Sequence, residues 1–156
     1  LESFQSGLSW RTILAKRENF RHAFDHFDFH KIAQYTDADI ERLLKDAGIV
    51  RHRGKIEAVI NNAGKMLELI KTESSFAAYV WRFEPSEKDL AAPQTASRST
   101  ASEAMSKDLR KRGCKFVGPT TVYAFMQAMG LINDHAEQCA LRLPVENARK
   151  KFKRPQ

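Results

Sequence analysis

Residues 115–130 read KFVGPTTVYAFMQAMG, and how this stretch divides decides the fold. Gly118 interrupts the chain, and Pro119 suits the first turn of a helix, where its missing N–H costs nothing and its fixed φ is already helical. Val122, Phe125, Met126 and Met129 then recur at helical spacing until Gly130. Just upstream, RKRGCK closes another helical pattern at Gly113. The segment FVGPTT is therefore a short hairpin between a basic helix end and an apolar helix. Free backbone N–H groups beside a helix N-terminus favour an anion such as a DNA phosphate. Lys111, Arg112 and Lys115 would add charge there. The same spacing also fits an ordinary turn with solvated lysines.

The rest of the chain reads as a row of helices. Around Trp10, the apolar residues Ile13, Leu14, Phe20 and Phe24 suggest one or two helical stretches. Thr36 and Asp39 start a short helix with Ile40, Leu43 and Leu44 inward, and Gly48 supplies its stop. After Gly54 comes a longer stripe of Ile56, Val59, Ile60, Ala63, Met66, Leu67 and Ile70. Ser74 or Ser75 can cap a helix carrying Phe76, Tyr79, Val80 and Phe83, with Pro85 beyond its end. Residues 85–99 lose periodicity and gain Pro, Ser and Ala, so a long surface loop is expected. Thr100 and Glu103 form a capping-box pattern for a helix through Arg112. Arg149–Arg154 carries five basic residues in six and is expected to fray. Without a convincing strand, the fold class is all-α.

Composition bounds the function. A chain of 156 residues suits one domain, 1–156, with one sizeable core. No apolar run approaches the roughly 18 residues of a membrane span. Cys114 and Cys139 are too few for a disulfide framework, so a reducing cytoplasm is the default location. The net charge of +7 favours a polyanionic partner. The chain opens without Met, inside an apolar pattern of Leu1, Phe4 and Leu8 that already looks helical, so an N-terminal piece is expected to be absent.

Three further stretches can carry chemistry. In LESFQSGLSW, residues 1–10, Glu2 sits among apolar residues near Gln5 and Trp10. An acid in such surroundings needs a partner or a task. A carboxylate accepts hydrogen bonds from an exocyclic amino group, and an aromatic face stacks on a base. A solvated Glu2 with Trp10 in the core is the plainer reading. In DAGIVRHRGK, residues 46–55, Arg51, Arg53 and Lys55 either face a phosphate backbone or solvate a loop. In GLINDHAEQC, residues 130–139, His135 and Cys139 stand four apart, one above the other if helical, as two metal ligands would. A tetrahedral zinc site needs about four ligands. A buried free Cys and a surface His fit the pair equally.

Taken together, LESFQSGLSW, TILAKRENFRHAF, DAGIVRHRGKIEAVINNA, SKDLRKRGCKFVGPTTVYAFMQAMG and NDHAEQC resemble the bacterial DNA-3-methyladenine glycosylase I family. That family lies within the helix-hairpin-helix DNA glycosylase superfamily. The resemblance runs, in order, from residue 1 to about residue 140, and excludes the basic tail. It implies that Phe116, Val117, Gly118, Pro119 and Thr120 form a hairpin gripping the DNA backbone through main-chain amides. It implies that Glu2 is the acidic residue that recognises the flipped 3-methyladenine, as both substrate-binding and catalytic residue, and that Trp10 lines the base pocket. Gly7 and Leu8 match the segment that fills the gap in the duplex, with Leu8 as the wedge. His135 and Cys139 match two of four structural zinc ligands. The family pattern extends on the order of 35–40 residues before Leu1, a fraction of a domain, and carries the other two ligands.

The implied reaction is hydrolysis of the N-glycosidic bond of 3-methyladenine in double-stranded DNA, a base-excision repair step against alkylation damage. It releases the free base, and a monomer suffices for it. Bifunctional relatives place a Schiff-base lysine just after the hairpin. Val122 stands there, so a monofunctional enzyme without strand cleavage is expected. Asp134 is expected to cap or orient His135. A hairpin DNA-binding module without activity, or a basic helical protein-interaction domain, are the alternatives. Salt dependence of duplex binding and base release separate them.

Overall fold

The computed structural model describes residues 1–90 and 92–156, and among them every regular element is helical. The helices are α1 (Glu2–Gln5), α2 (Trp10–Ala15), α3 (Arg17–Ala23), α4 (Phe29–Ile32), α5 (Asp37–Lys45), α6 (Arg53–Thr72), α7 (Phe76–Trp81), α8 (Thr100–Lys111), α9 (Pro119–Ala128) and α10 (Arg142–Lys151). Short 3-10 turns occupy Asp25–Phe27 and Glu87–Asp89. The first is left-handed, with φ between 46° and 64° at Asp25, His26 and Phe27. The Tyr35 hydroxyl donates to Asp25 across it at 2.5 Å. No periodicity in the sequence announces such a turn. Of the expected 85–99 loop, Ala91 lies outside the described residues, and the rest contains no longer element than the Glu87–Asp89 turn.

Helix α6 is the spine. Its 20 residues span about 30 Å at the usual helical rise. Its N-terminal half packs, through Ile56 and Ala63, with Phe4, Ile13, Phe20, Phe24, Ile32, Ile40, Leu43 and Ile49. Its C-terminal end packs, through Leu69, with Tyr79, Met105, Leu109, Val122, Tyr123, Met126 and Leu131. The apolar side chains thus gather in two clusters where one core was expected. A long helix with apolar residues facing both ways allows this, because each half covers a different set of shorter helices.

Several expected helix ends shift. The capping box before α8 pairs Ser99 with Ser102, not Thr100 with Glu103: Ser102 N donates to Ser99 Oγ, and Ser99 N donates to Ser102 Oγ at 2.8 Å. Ser75 caps α7 by accepting from Ala78 N. The stop after α5 is Asp46, whose carboxylate accepts from Gly48 N at 2.7 Å. Gly48 is selected for space, since a Cβ there would fall 2.9 Å from Asp46 Oδ1 and 3.1 Å from Asn19 Nδ2. By contrast Gly113 and Gly130 close α8 and α9 with φ of 88° and 79°. Cys114 N and Leu131 N return to Leu109 O and Met126 O, the bonds of a Schellman motif. Leu14 and Met129, read as apolar-face residues, are exposed.

The basic tail does not fray. Arg149 and Lys150 lie inside α10, Arg149 Nη1 donates to Gly130 O, and Arg149 and Arg154 both pair with Glu84. Phe152 packs on Trp81 with ring centroids 4.8 Å apart. Two arginines sharing one carboxylate, with an aromatic contact beside them, offset the entropy of ordering a chain end.

Candidate nucleic-acid interface

The hairpin between α8 and α9 spans residues 113–118 and is tied to the spine. Asn62 Nδ2 donates to Lys115 O, and Lys115 N donates to Asn62 Oδ1, each at 2.8 Å. Asn61 Nδ2 donates to Gly113 O, and Ser106 Oγ to Val117 O. Phe116 takes φ of 54°, which turns the chain back, and its ring is exposed. Gly118 caps α9, whose first intrahelical bond runs from Val122 N to Gly118 O. The N–H groups of the first turn, with Pro119 contributing none, are left pointing outward from the helix end. A Cβ on Gly118 would lie 3.5 Å from Arg110 Nη2. Arg110, which the sequence did not single out, therefore stands beside the hairpin.

Of the charges expected around the hairpin, Lys111 and Lys115 are exposed, but Arg112 turns inward. It binds Asp108 at 2.8 Å and Glu73 at 3.0 Å and lies over the Tyr79 ring. In the second basic stretch, Arg53 pairs with Glu41 and Glu57 on the surface. Lys55 is buried at 6% exposure. Only Arg51 remains exposed and without an ion pair among the described residues. His52 caps α6 by accepting from Lys55 N, and its ring meets the Phe116 ring edge-on at 6.3 Å. The two basic stretches, far apart in sequence, thus adjoin on one face.

Helix α1 packs across the start of α9. One shallow depression is lined by Glu2, Gln5, Gly7, Leu8, Thr120 and Thr121. A neighbouring one is lined by Glu2, Gln5, Trp10, Ala124, Gln127 and Ala128. Glu2 also borders an apolar cavity of about 240 Å³ walled by Met66, Phe76, Met105 and Phe125. Glu2 is thus common to all three hollows. Burial pushes its carboxyl above the ordinary glutamate range. Leu8 and Trp10 are exposed at 41% and 39%, so Trp10 is a surface aromatic and not a core one. Gly7, with φ of 79°, supplies the left-handed turn that swings Leu8 outward.

His135 and Cys139 lie elsewhere, after α9, and the stretch between them is not helical. The helical presentation that first suggested a ligand pair is therefore incorrect. Asn133 Oδ1 lies 2.9 Å from His135 Nδ1, a contact that holds the imidazole and leaves Nε2 free. Asn133 is in turn fixed by donating to Arg142 O and Glu146. Asp134, expected to orient His135, instead accepts from Gln94 N and from Gln127 Nε2, both at 2.7 Å. Asn133 has the part foreseen for Asp134. Among the described residues no group of three His, Cys, Asp or Glu side chains gathers to hold an ion. His135 and Cys139 are two donors, where a tetrahedral zinc site needs about four.

The profile of the methyladenine glycosylase family matches residues 1–142, ending where α10 begins. The DNA-3-methyladenine glycosylase 1 of Escherichia coli is 48% identical over 143 residues, spanning 89% of this chain and 76% of that protein. A crystal structure of 3-methyladenine DNA glycosylase I superimposes with a TM-score of 0.83 at 46% identity, covering 89% of this chain and 79% of the other. The Staphylococcus aureus 3-methyladenine DNA glycosylase I, solved to explain 3-methyladenine recognition, gives 0.84 at 38% identity over 90% and 77%. The hairpin, the adjoining α1 and the spine that ties them together are thus one scaffold shared with these enzymes, and the chain belongs to the methyladenine glycosylase family.

Proposed function

We propose that this chain is a monofunctional base-excision repair glycosylase that extrudes 3-methyladenine from alkylated duplex DNA and hydrolyses its N-glycosidic bond. The observation that carries this reading is the meeting of Glu2, Trp10 and Leu8 against α9, the helix that the hairpin opens, with Thr120 and Thr121 of its first turn beside Glu2 and Leu8. The family membership and the relatives' activity support it. In this reading the hairpin amides hold phosphates of the backbone, with Arg110, Lys111 and Lys115 adding charge. Leu8 fills the space left by the extruded nucleotide, and Gly7 permits its turn.

The base lies between Glu2 and Trp10. Glu2 accepts hydrogen bonds from the exocyclic amino group, and its negative charge favours a cationic base over neutral adenine. Trp10 stacks on the ring. A methylated cationic base is already a good leaving group: as the bond to C1′ breaks, its electron pair neutralises the ring. A water oxygen bonds to C1′ and its proton is released, leaving an abasic site and free 3-methyladenine. Capture of the flipped base therefore supplies much of the selectivity. Val122, at 3% exposure, offers no amine for a Schiff base, in keeping with hydrolysis without strand cleavage.

His135 and Cys139 are proposed to supply two ligands of a structural zinc, with the remaining ligands coming from outside the described residues. Such an ion would fix the segment after α9. A cytoplasmic location fits the two free cysteines, and the enzyme is proposed to act as a monomer. Incubation with methylated duplex DNA tests the central claim. Released 3-methyladenine is expected, together with alkali-labile sites that appear without spontaneous strand breaks. Tight duplex binding with no base release would overturn it in favour of an inert hairpin module.

A further inference from the structure

Helix α1 has only four residues, too few to be stable by itself, and it carries Glu2 at one end and the Gly7–Leu8 turn beyond the other. Two contacts on its inner side hold it, one from α3 and one from the spine. Phe4 is 2% exposed and packs on Phe20 and Phe24, with centroids 4.6 and 5.9 Å away. The second contact is polar. Lys55, in the first turn of α6, is 6% exposed and reaches beneath α1. Its Nζ donates to Phe4 O at 2.9 Å and to Ser6 O at 2.5 Å. Between these carbonyls, Gln5 O accepts from Leu8 N at 2.6 Å. Three successive carbonyls at the helix end, which would otherwise lack partners, are thereby satisfied.

We propose that Lys55 is a positioning residue that locks the base-reading Glu2 and the wedge Leu8 into one rigid unit. The inference rests on the reading of Glu2 and Leu8 given above. An ammonium group is costly to bury without a carboxylate partner, and the partners of Lys55 Nζ among the described residues are backbone carbonyls. A purely structural role would be met by an apolar side chain filling the same space. What Lys alone provides is a compact head with three donors, able to bridge two carbonyls that diverge at a turn. Its anchor is rigid, because the next residues, Ile56 and Ala58, are fully buried. Phe4 fixes the position of α1, and Lys55 fixes the conformation of the turn that follows it.

Lys55→Met and Lys55→Gln, with Leu8→Ala as the second arm of a double-mutant cycle, test this assignment. Single-turnover release of 3-methyladenine from duplex DNA is expected to fall tenfold or more in Lys55→Met at temperatures well below its unfolding midpoint. Much of that loss should vanish in the Leu8→Ala background, because a wedge that is already missing cannot be misplaced. Losses that multiply within twofold would overturn the assignment, as would unchanged release in both variants. Should Lys55→Met not fold, Lys55→Gln carries the cycle. Amide exchange at Leu8 provides a readout independent of activity: it is expected to accelerate at least tenfold in Lys55→Gln, while exchange in α9 stays unchanged. If the unmodified chain releases no base, the glycosylase reading fails, whereas Leu8 exchange still judges Lys55. Unaltered exchange there would overturn the positioning role.

Discussion

Asn62 and Lys115 are joined by two reciprocal hydrogen bonds, side-chain amide to backbone, each 2.8 Å long. The pair copies the exchange between adjacent strands, although neither residue belongs to a strand. It fastens the hairpin to α6, the helix that contributes to both apolar clusters. The spine thus holds in place a turn that the hairpin's own residues, Gly113 and Phe116 with their positive φ, already shape.

Asn62→Ala removes both bonds at once. Stability is expected to drop by about 1–3 kcal/mol, the usual cost of leaving polar groups unpartnered. Duplex affinity should weaken severalfold at low salt, with the slope of log affinity against log salt nearly unchanged, since no phosphate-binding cation is lost. Filter binding or anisotropy over a salt series measures both. A slope reduced by about one would mean that Asn62 acts through a charge contact.

Glu2 is expected to impose an acid limb on activity. Burial raises its carboxyl above the ordinary glutamate range, so the acceptor form needed for the base is lost at a higher pH than for an exposed carboxylate. Single-turnover base release should fall as the pH drops through that raised value, and Glu2→Gln should be slow and lack the limb. Free 3-methyladenine should also bind Glu2→Gln more weakly by calorimetry. Unchanged affinity would remove Glu2 from the base site.

Gly7 separates conformation from space. A Cβ added there meets nothing within 4 Å, yet the backbone sits at φ of 79°. Gly7→Ala should therefore cost about 1–2 kcal/mol through left-handed strain alone. Leu8→Ala should leave stability nearly unchanged, because the side chain is already exposed, while slowing excision from duplex DNA. Thermal melts beside single-turnover rates distinguish the two effects.

Asp108 links stability to pH. Burial alone would raise its carboxyl, but hydrogen bonds from Arg112 and Tyr79 outweigh that and hold it below the usual aspartate range. Stability from such a group is present above the unfolded value, about 3.9, and is lost as pH falls through the lower folded one. Asp108→Asn should be less stable by about 1–3 kcal/mol near neutral pH. The gap should narrow in acid, followed by urea melts from pH 7 to pH 3.

What the sequence revealed follows from which forces are local. The helical class, the Gly118–Pro119 start of α9 and the Gly113 stop depend on neighbouring residues, and each was legible. The Ser99–Ser102 box was misplaced by one residue because Thr100 and Glu103 offer the same local chemistry. The inward turn of Arg112 and Lys55 is not legible in the sequence because their partners, Glu73 and the Phe4 and Ser6 carbonyls, come from distant segments. The ordered tail was hidden for the same reason: Glu84 and Trp81 lie some 70 positions upstream of the residues they hold. Asn62 left no signal at all, since nothing in NNA distinguishes a hairpin clamp from a solvated amide. Family resemblance, by contrast, pointed to Glu2, Leu8 and Trp10, which spacing alone left open.

The proposed metal donors give the last prediction. Cobalt(II) accepts the ligands of zinc and reports a coordinated thiolate by a charge-transfer band, so it reads Cys139 directly. Titrating the reduced chain with cobalt should produce that band, and zinc should displace it. Cys139→Ser should abolish it. His135→Ala should weaken binding, and Asn133→Ala should do so by a smaller factor, because the imidazole loses the partner 2.9 Å from Nδ1 but keeps Nε2. Cys114→Ser is the control, since that thiol is buried in the second apolar cluster and should leave the band intact. A band that survives in Cys139→Ser and disappears in Cys114→Ser would move the metal to the wrong thiol and end the proposal for His135 and Cys139.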